Sequence, residues 1–221
     1  MVDERILKDR LYQEFARIGK SLSSPKRLEI IDLLSQSPKS VERLAKSTGM
    51  TAANVSQHLQ TLHNARLVNY TKQGNFVIYE LADSKVSDFM SSFHSLSEKQ
   101  LVQVQSIKKE FLNPQLEMER LSLSDLKIRM EYGEVLLLDV RPKDEYEQAH
   151  IPGAISIPIE ELQKKLASLP SNKDVIAYCR GPYCLMSVVA VELLKTKGIN
   201  AFRLDKSVQD WKQFNMQEER N

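Results

Sequence analysis

The apolar residues of this chain change their spacing near residue 113, and no other sequence feature constrains the fold as much. Before that point they recur with the helical period, apart from one pair of alternating runs. After it, helical segments alternate with short, continuous apolar runs at 135–140, 154–157, 175–178 and 201–204. Apolar strands separated by helices are typical of a parallel sheet with helices on both faces. The sequence therefore predicts an α+β domain at 1–113, a linker at 114–121 and an α/β domain at 122–221.

The first half carries signals that start and stop helices. Ser40 and Thr51 each stand where an N-cap is expected, and Gly49 stands where the intervening helix ends. These residues predict two short helices joined by a tight turn. The alternating runs that follow are joined by Lys-Gln-Gly-Asn at 72–75, which is a hairpin signal. A long helix is predicted at 84–112, before an Asn-Pro step that ends it.

Two short helices followed by a hairpin are the elements of a winged helix-turn-helix, whose second helix lies in the major groove of DNA. The positions predicted to face DNA hold small or hydrogen-bonding side chains, as base and phosphate contacts require. These residues are Thr51, Asn54, Ser56, Gln57 and His58. Lys72 and Gln73 are predicted at the hairpin tip, within reach of a phosphate. The pattern alone equally fits a helical domain whose polar positions are merely solvated.

Three segments resemble the ArsR family of dimeric repressors over nearly all of residues 15–82. They are SPKRLEIIDLL, SVERLAKSTGMTAANVSQHLQTLHNARLV and GNFVIYEL, and the Ser-x-His-Leu step at 56–59 is fairly specific. The resemblance implies a homodimer that packs helices 5–18 and 84–112 together. It also implies that the dimer reads a palindromic operator on double-stranded DNA, and that His58 faces DNA rather than acting as a catalyst or ligand.

The sequence departs from the metal-sensing members of that family. Those members use a Cys-x-Cys step in the third helix, or paired Asp and His residues on the terminal helix. This chain has no cysteine before Cys179, and Asp88 and His94 are six residues apart, on different faces of a helix. A soft or borderline metal needs about four well-placed donors. We therefore expect no metal site and no cofactor, and the DNA-binding half has no sensor of its own.

Charge and cysteine content set the expected partners and compartment. Residues 1–113 hold 16 Lys and Arg against 12 Asp and Glu, whereas the remainder holds 15 against 17. The basic half suits a polyanion. No apolar run approaches the roughly 20 residues of a transmembrane helix, and the charged N-terminus lacks a signal-peptide core. Two cysteines make no disulfide framework, so the chain is predicted to be cytoplasmic, without a membrane partner.

Cys179 stands at the carboxyl end of a predicted parallel strand, just before a helix. Ligands of open α/β sheets bind at such ends. The positive end of the helix and the charge of Arg180 are expected to favour a thiolate, which is the nucleophilic form. Gly181 and Pro182 mark a turn, as if the chain wraps around a ligand. The alternative is a buried structural cysteine.

The segment LLLDVRPKDEYEQAHIPGAISIP resembles the signature of the rhodanese family, and with the Tyr-Cys step at 178–179 the likeness covers about residues 122–212. The matching residues are Asp139, Arg141, Glu145, His150, Ile151, Pro152, Gly153 and Ala154. The resemblance implies that Cys179 attacks a small sulfur donor, such as thiosulfate or polysulfide, and carries the sulfur as a persulfide. Backbone amides of the loop, which holds Arg180, Gly181, Pro182 and Tyr183, would stabilise the anion. Asp139 and Arg141 are interpreted as a structural pair, and His150 as a residue of the surrounding shell.

Three departures from the rhodanese pattern bear on the loop. The loop reads Cys-Arg-Gly-Pro-Tyr-Cys, and the serine expected inside it, Ser187, comes two residues later. Lys206 and Ser207 replace the usual Gly-Gly before Trp211, which puts a close backbone approach in doubt. Leu185 stands where a phosphatase or arsenate-reductase loop has arginine, so chemistry on phosphate or arsenate is not expected.

Cys184 has two interpretations. On a regular helix its thiol would be too far from that of Cys179 for a disulfide, whereas a loop curling around its own centre brings the two together. Cys184 then either resolves a sulfur adduct on Cys179 as a disulfide or polysulfide link, or is a small residue at the helix start.

Joined together, the two halves predict a DNA-binding regulator whose operator affinity responds to the sulfur state of Cys179. The alternative is a thiosulfate-type sulfurtransferase enzyme that uses the helix-turn-helix half for dimerisation or localisation. A third possibility, a rhodanese domain that only binds, is disfavoured by the intact Cys179.

Overall fold

The computed structural model describes residues 3–111, 121–170 and 173–218. The chain divides into two compact units, Met1–Gln100 and Leu101–Asn221. The predicted linker at 114–121 lies outside the described residues except for Leu121. No helix among the described residues is long and apolar enough to cross a membrane.

The first unit consists of helices and a small antiparallel sheet. Its described elements are α1 (Glu4–Leu22), α2 (Pro25–Gln36), β1 (Lys39–Ser40), α3 (Val41–Thr48), α4 (Ala52–Asn64), β2 (Val68–Gln73), β3 (Phe76–Leu81) and α5 (Ser84–Gln100). The strand order is β1-β3-β2. Strand β1 was not expected from the sequence, because two residues are too few to show an alternating pattern.

The two short helices form for the predicted reasons. The Ser40 hydroxyl accepts the backbone N–H of Arg43 at 3.3 Å, and the Thr51 hydroxyl accepts that of Asn54 at the same distance. Each bond satisfies an N–H that has no partner within the helix. Between the helices, Gly49 has φ +67°, a conformation that favours glycine. The predicted N-caps and the predicted turn are confirmed.

Strands β2 and β3 form a tight hairpin. Gln73 pairs with Phe76, so Gly74 and Asn75 form a two-residue turn, with Gly74 at φ +59°. Beneath it, the inward face of α4 is fully buried through Val55, Leu59 and Leu62.

The long helix predicted at 84–112 is interrupted. Helix α5 ends at Gln100, and a separate helix, α6 (Val102–Phe111), follows in the second unit. The N–H of Val104 bonds to the carbonyl of Leu101 at 3.0 Å, which begins a new helical turn. The β-branched Val102 and Val104 lower helix propensity at this point. The predicted end at Leu112 lies outside the described residues.

The second unit is built on a parallel sheet. After α6 its described elements are α7 (Leu123–Glu131), β4 (Val135–Asp139), α8 (Lys143–Gln148), β5 (Ile155–Ser156), α9 (Ile159–Lys165), β6 (Asp174–Tyr178), α10 (Met186–Thr196), β7 (Ala201–Leu204) and α11 (Val208–Glu218). The strand order is β5-β4-β6-β7, and every pairing is parallel. The four apolar runs of the sequence are these four strands.

Both faces of the sheet are buried. Leu138, Val175 and Ala177 pack in one hydrophobic cluster with residues of α9 and α10, whereas Leu137 and Ile176 pack on the other side with residues of α7 and α11. The prediction of a sheet covered on both faces is confirmed. The carboxyl ends of β4 and β6 bring Asp139 and Tyr178 to one edge, and Cys179 follows directly.

Candidate functional site

Helix α4 presents a polar surface in the first unit. Asn54, Ser56 and Gln57 are exposed, whereas His58 is half-buried. Thr51 is exposed too, but its hydroxyl caps the helix. This surface therefore offers three uncommitted polar side chains at the start of the helix, where recognition helices contact base edges.

The hairpin carries the other residues predicted to reach DNA. Lys72 and Gln73 are exposed at the end of β2, one step before the turn at Gly74. Lys39, a basic residue of β1, is buried, and its ammonium donates to the Ser37 hydroxyl at 2.6 Å. It adds little to the exposed positive charge of this surface.

The loop after β6 holds both cysteines. The Cys179 side chain is 0% exposed, and its sulfur lies 3.1 Å from the Ser187 hydroxyl oxygen and 3.5 Å from the Cys184 carbonyl oxygen. The Cys184 side chain is half-buried, and both cysteines are free. The loop thus curls around its own centre. This is the one of the two predicted arrangements that brings Cys179 and Cys184 together.

Arg180 does not lend its charge to Cys179 alone. Its guanidinium forms a two-pronged ion pair with Glu145, with the shortest N–O distance 2.7 Å, and Glu145 is 0% exposed. Sequence matching noted Glu145 but not this partnership. The pair anchors the start of the loop to α8 and neutralises most of the positive charge that was expected to act on the thiol.

The surroundings of Cys179 do not favour the thiolate that the sequence led us to expect. Burial, together with the hydrogen bond to Cys184, raises the pKa of Cys179 well above its usual value. The hydrogen bond from Cys179 lowers the pKa of Cys184 to about 6, and the backbone N–H groups of Arg180 and Met186 act in the same direction. Burial therefore favours the thiol form of Cys179, whereas the donors around Cys184 favour its thiolate.

Arg203, on β7, is a site residue that the sequence analysis missed. It is 4% exposed, and its Nε donates to the Ser187 hydroxyl at 3.0 Å. Its Nη2 lies 3.0 Å from the carbonyl oxygen of Pro182, 3.4 Å from that of Gly181 and 3.5 Å from that of Cys184. No carboxylate among the described residues lies within ion-pair distance of it. A charged residue within the apolar strand run 201–204 was the signal that could have revealed it.

The close approach placed in doubt by Ser207 is made. Gly181 has φ +118°, and a Cβ built on it would lie 3.6 Å from the Cβ of Ser207. Ser207 also caps α11, where its N–H and hydroxyl each donate to the Asp210 carboxylate at 2.7 Å. Serine therefore replaces glycine here without displacing the loop.

Asp139 and Arg141 form a buried pair beneath the loop. The Arg141 guanidinium donates to the Asp139 carboxylate at 2.6 Å and to the Ala149 carbonyl at 2.8 Å. His150 is exposed, stacks on the Tyr146 ring at 3.9 Å and contacts the Tyr146 carbonyl through Nδ1. These contacts are consistent with the interpretation of Asp139 and Arg141 as a structural pair and of His150 as a residue of the surrounding shell.

The remaining loop residue, Tyr183, points outwards. Its side chain is 44% exposed, and the ammonium of Lys108 on α6 lies 5.7 Å from its ring centroid. This cation–π contact links α6 to the cysteine loop within the second unit.

Across the part of the chain that the structure describes, no group of three or more His, Cys, Asp or Glu side chains is arranged to hold a metal ion. Asp88 and His94, considered above as ligands, do not form such a group. His94 instead lies 3.6 Å from the Asp32 carboxylate.

Comparison with known proteins agrees with this division. The bacterial regulatory protein arsR family matches residues 24–70, and the rhodanese-like domain family matches residues 122–214. The HTH-type transcriptional regulator Rv0324 of Mycobacterium tuberculosis is 37% identical over 203 residues, which are 91% of this chain and 88% of that protein. The chain belongs to the ArsR family of regulators and carries a C-terminal rhodanese domain.

Two further similarities each cover one half of this ArsR–rhodanese protein. The putative sulfur carrier protein YrkF of Bacillus subtilis is 32% identical over 93 residues, covering 41% of this chain and 49% of that protein. A homodimeric winged helix-turn-helix domain, Mb0332 of Mycobacterium bovis, is 31% identical and covers 47% of this chain and 93% of that one, with a TM-score of 0.43.

The ionisation of the ArsR–rhodanese cysteine pair leads to a pH-dependent reactivity. With a pKa of about 6, Cys184 gains its reactive thiolate as the pH rises through that value. We expect its alkylation rate by iodoacetamide to climb between about pH 5 and 7 and then level off, whereas an ordinary thiol, with a pKa of about 8.5, climbs until about pH 9.5. Peptide mass mapping at each pH measures the rate. A single rise near pH 8.5 at Cys184 would contradict the assignment of the charge.

Proposed function

We propose that this protein binds operator DNA as a homodimer and changes its affinity when the rhodanese domain takes up sulfane sulfur, held as a persulfide on Cys179. The observation that carries the proposal is the dithiol loop at the carboxyl edge of the sheet. At that loop the buried Cys179 sulfur meets the Ser187 hydroxyl of α10, and the buried guanidinium of Arg203 on β7 donates to the same hydroxyl. Such a set stabilises anionic sulfur.

The apolar surface of the first unit supports the homodimer. Large apolar side chains are exposed along two of its helices, and these are Ile6, Leu7, Leu11, Tyr12, Phe15 and Ile18 on α1 and Phe89 and Leu96 on α5. On α1 they repeat at three- and four-residue spacing, so they form a stripe rather than scattered positions. A stripe of this kind marks a protein interface. A second copy that covers it would present two α4 helices to a palindromic site.

The polar surface of α4 supports DNA recognition. Gln57 is exposed at its centre, and a side-chain amide pairs with the edge of adenine in the major groove. We expect Gln57→Ala to weaken operator binding by about 1–3 kcal/mol, the usual range for one base contact, with no change in thermal unfolding. Fluorescence anisotropy with labelled operator DNA measures the loss.

Gln163→Ala is the matched control for that variant, because Gln163 is exposed on α9 in the other unit. It should bind as tightly as the unmodified protein. Equal binding by both variants would remove Gln57 from the interface.

The sulfur chemistry follows from the loop. A thiolate of the pair attacks the outer sulfur of thiosulfate, the sulfur–sulfur bond of the donor breaks, and sulfite leaves with the electron pair. The loop then holds a persulfide. The similarity of the rhodanese half to YrkF, which is named as a putative sulfur carrier, supports this part of the proposal.

The same similarity favours a second candidate, a sulfurtransferase enzyme for which the helix-turn-helix half provides dimerisation or localisation. The two differ in turnover. A sensor loads once and holds its sulfur, whereas an enzyme passes sulfur on in repeated cycles with thiosulfate and an acceptor.

The test is operator binding by the reduced protein and by protein treated with thiosulfate or polysulfide, at fixed salt because phosphate contacts make affinity salt-dependent. The DNA is the region upstream of the protein's own gene. We expect a change of about 5–150-fold, which is the range of an allosteric coupling of about 1–3 kcal/mol. Tight binding that ignores both treatments would leave the enzyme as the better proposal.

A further inference from the structure

The two cysteines of the loop differ in their access to solvent. Cys179 is 0% exposed, enclosed by Ser187 and the Cys184 carbonyl, whereas Cys184 is partly exposed. A sulfur donor arriving from solvent therefore meets the Cys184 sulfur first. The cysteine at the family's persulfide position is thus the more enclosed of the two.

We infer that Cys184 takes sulfur from the donor and passes it inward to Cys179, so that the pair works as a sulfur relay. This inference rests on the proposed function, because it concerns the order of events in the same loop. It reverses the resolving role considered for Cys184 from the sequence.

The first step of the relay occurs at Cys184. Its thiolate attacks the outer sulfur of thiosulfate, and sulfite leaves with the electrons of the broken sulfur–sulfur bond, as above. The product is a persulfide anion on Cys184. The backbone N–H groups of Arg180 and Met186, which donate to the Cys184 sulfur, remain available to the new anion.

The second step uses the proton that Cys179 holds. The Cys179 sulfur lies against the Cys184 backbone, 3.5 Å from its carbonyl oxygen, and the Cys179 proton moves to the outer sulfur of the persulfide. The Cys179 thiolate attacks that outer sulfur, the bond to Cys184 breaks, and the electron pair returns to Cys184. Cys184 is again a thiolate, Cys179 carries the sulfur, and no oxidant or reductant is consumed.

Ser187 and Arg203 fit the second step. While Cys179 is a thiol, its sulfur lies 3.1 Å from the Ser187 oxygen, which also accepts a bond from Arg203 Nε at 3.0 Å. When Cys179 ionises, the hydroxyl hydrogen of Ser187 can turn to donate to the sulfur, while Arg203 still holds the Ser187 oxygen. The transient thiolate thus has a donor beside it.

The test is single-turnover loading of the full chain with sodium thiosulfate, and with inorganic polysulfide in a parallel series. Samples are quenched with an alkylating agent that traps persulfides and are digested with trypsin. Cleavage after Arg180 places the two cysteines in different peptides, so mass spectrometry locates the added sulfur on one or the other. We expect the sulfur on Cys184 at early times and on Cys179 at late times.

Two variants sharpen the assignment. Cys179→Ser should retain sulfur on Cys184, because the second step is lost. In Cys184→Ser, sulfur should load onto Cys179 at least about ten-fold more slowly, because the accessible thiolate is gone. Leu185→Ser is the control, since it changes an exposed neighbour in the same loop and should load at the unmodified rate.

Several outcomes would overturn the relay. They are loading of Cys184→Ser at the unmodified rate, sulfur appearing on Cys179 before Cys184, and a disulfide between the two cysteines in place of sulfur on Cys179. The first two leave the proposed function standing, because sulfur still reaches Cys179, whereas a disulfide in its place overturns the proposed function as well. Absence of sulfur from both cysteines of the unmodified protein, with either donor, overturns both proposals.

Discussion

Cys179→Ser is expected to abolish the response of operator binding to thiosulfate and polysulfide while leaving the reduced protein's affinity unchanged. The substitution removes the sulfur that holds the persulfide but keeps a hydroxyl of similar size beside Ser187. The fold of the loop should survive, because Arg203 and the Arg180–Glu145 pair still hold it. The full coupling of about 1–3 kcal/mol, or about 5–150-fold in operator affinity, should disappear.

Fluorescence anisotropy at fixed salt measures this effect, with Leu185→Ser treated in parallel. The control should shift its affinity as the unmodified protein does. A treatment-dependent shift that persists in Cys179→Ser would show that the signal arises elsewhere, with Cys184 as the first residue to examine.

Arg203→Met is expected to impair sulfur loading and to destabilise the second unit. Methionine fills similar space but donates nothing, so the carbonyls of Gly181, Pro182 and Cys184 lose a shared donor. Unsatisfied buried acceptors cost about 1–3 kcal/mol, so we expect a loss of that size in the free energy of unfolding. Ser187 also loses the hydrogen bond that Arg203 donates to its oxygen. A hydrogen bond that involves a charged group contributes about 1.5–3 kcal/mol.

The rate of loading should consequently fall by about 10–150-fold, which is that hydrogen-bond energy converted to a ratio of rates. Arg203→Lys keeps the positive charge but not the several N–H donors of the planar guanidinium. Compared with Arg203→Met, it should recover part of the stability and part of the rate. Measuring the loading rate under conditions in which both proteins are fully folded separates the two effects, because a merely structural residue would leave the rate of the folded protein unchanged. Unchanged loading in Arg203→Met would remove Arg203 from the sulfur chemistry.

The ionisation of the loop shows where sequence reasoning fails. A helix start and an adjacent arginine argue for a thiolate at Cys179, and each premise is correct by itself. The structure, however, pairs that arginine with Glu145, 35 residues earlier in the chain, and buries Cys179 against Ser187. Solvation and charge pairing depend on groups that are distant in sequence, so local spacing does not determine which thiol ionises.

The sequence alone determined the two folds and their order along the chain. Caps such as Ser40 and Thr51, the Gly49 turn and the strand runs act over a few residues, so they are legible without tertiary context. The ArsR and rhodanese motifs were legible for the same reason. Only the tertiary structure decided the burial of Lys39, the place of Arg203 beside the loop and which of the two thiols is surrounded by donors that favour its thiolate. Each of these is set by contacts between residues far apart in the chain, because burial and electrostatic pairing act through space.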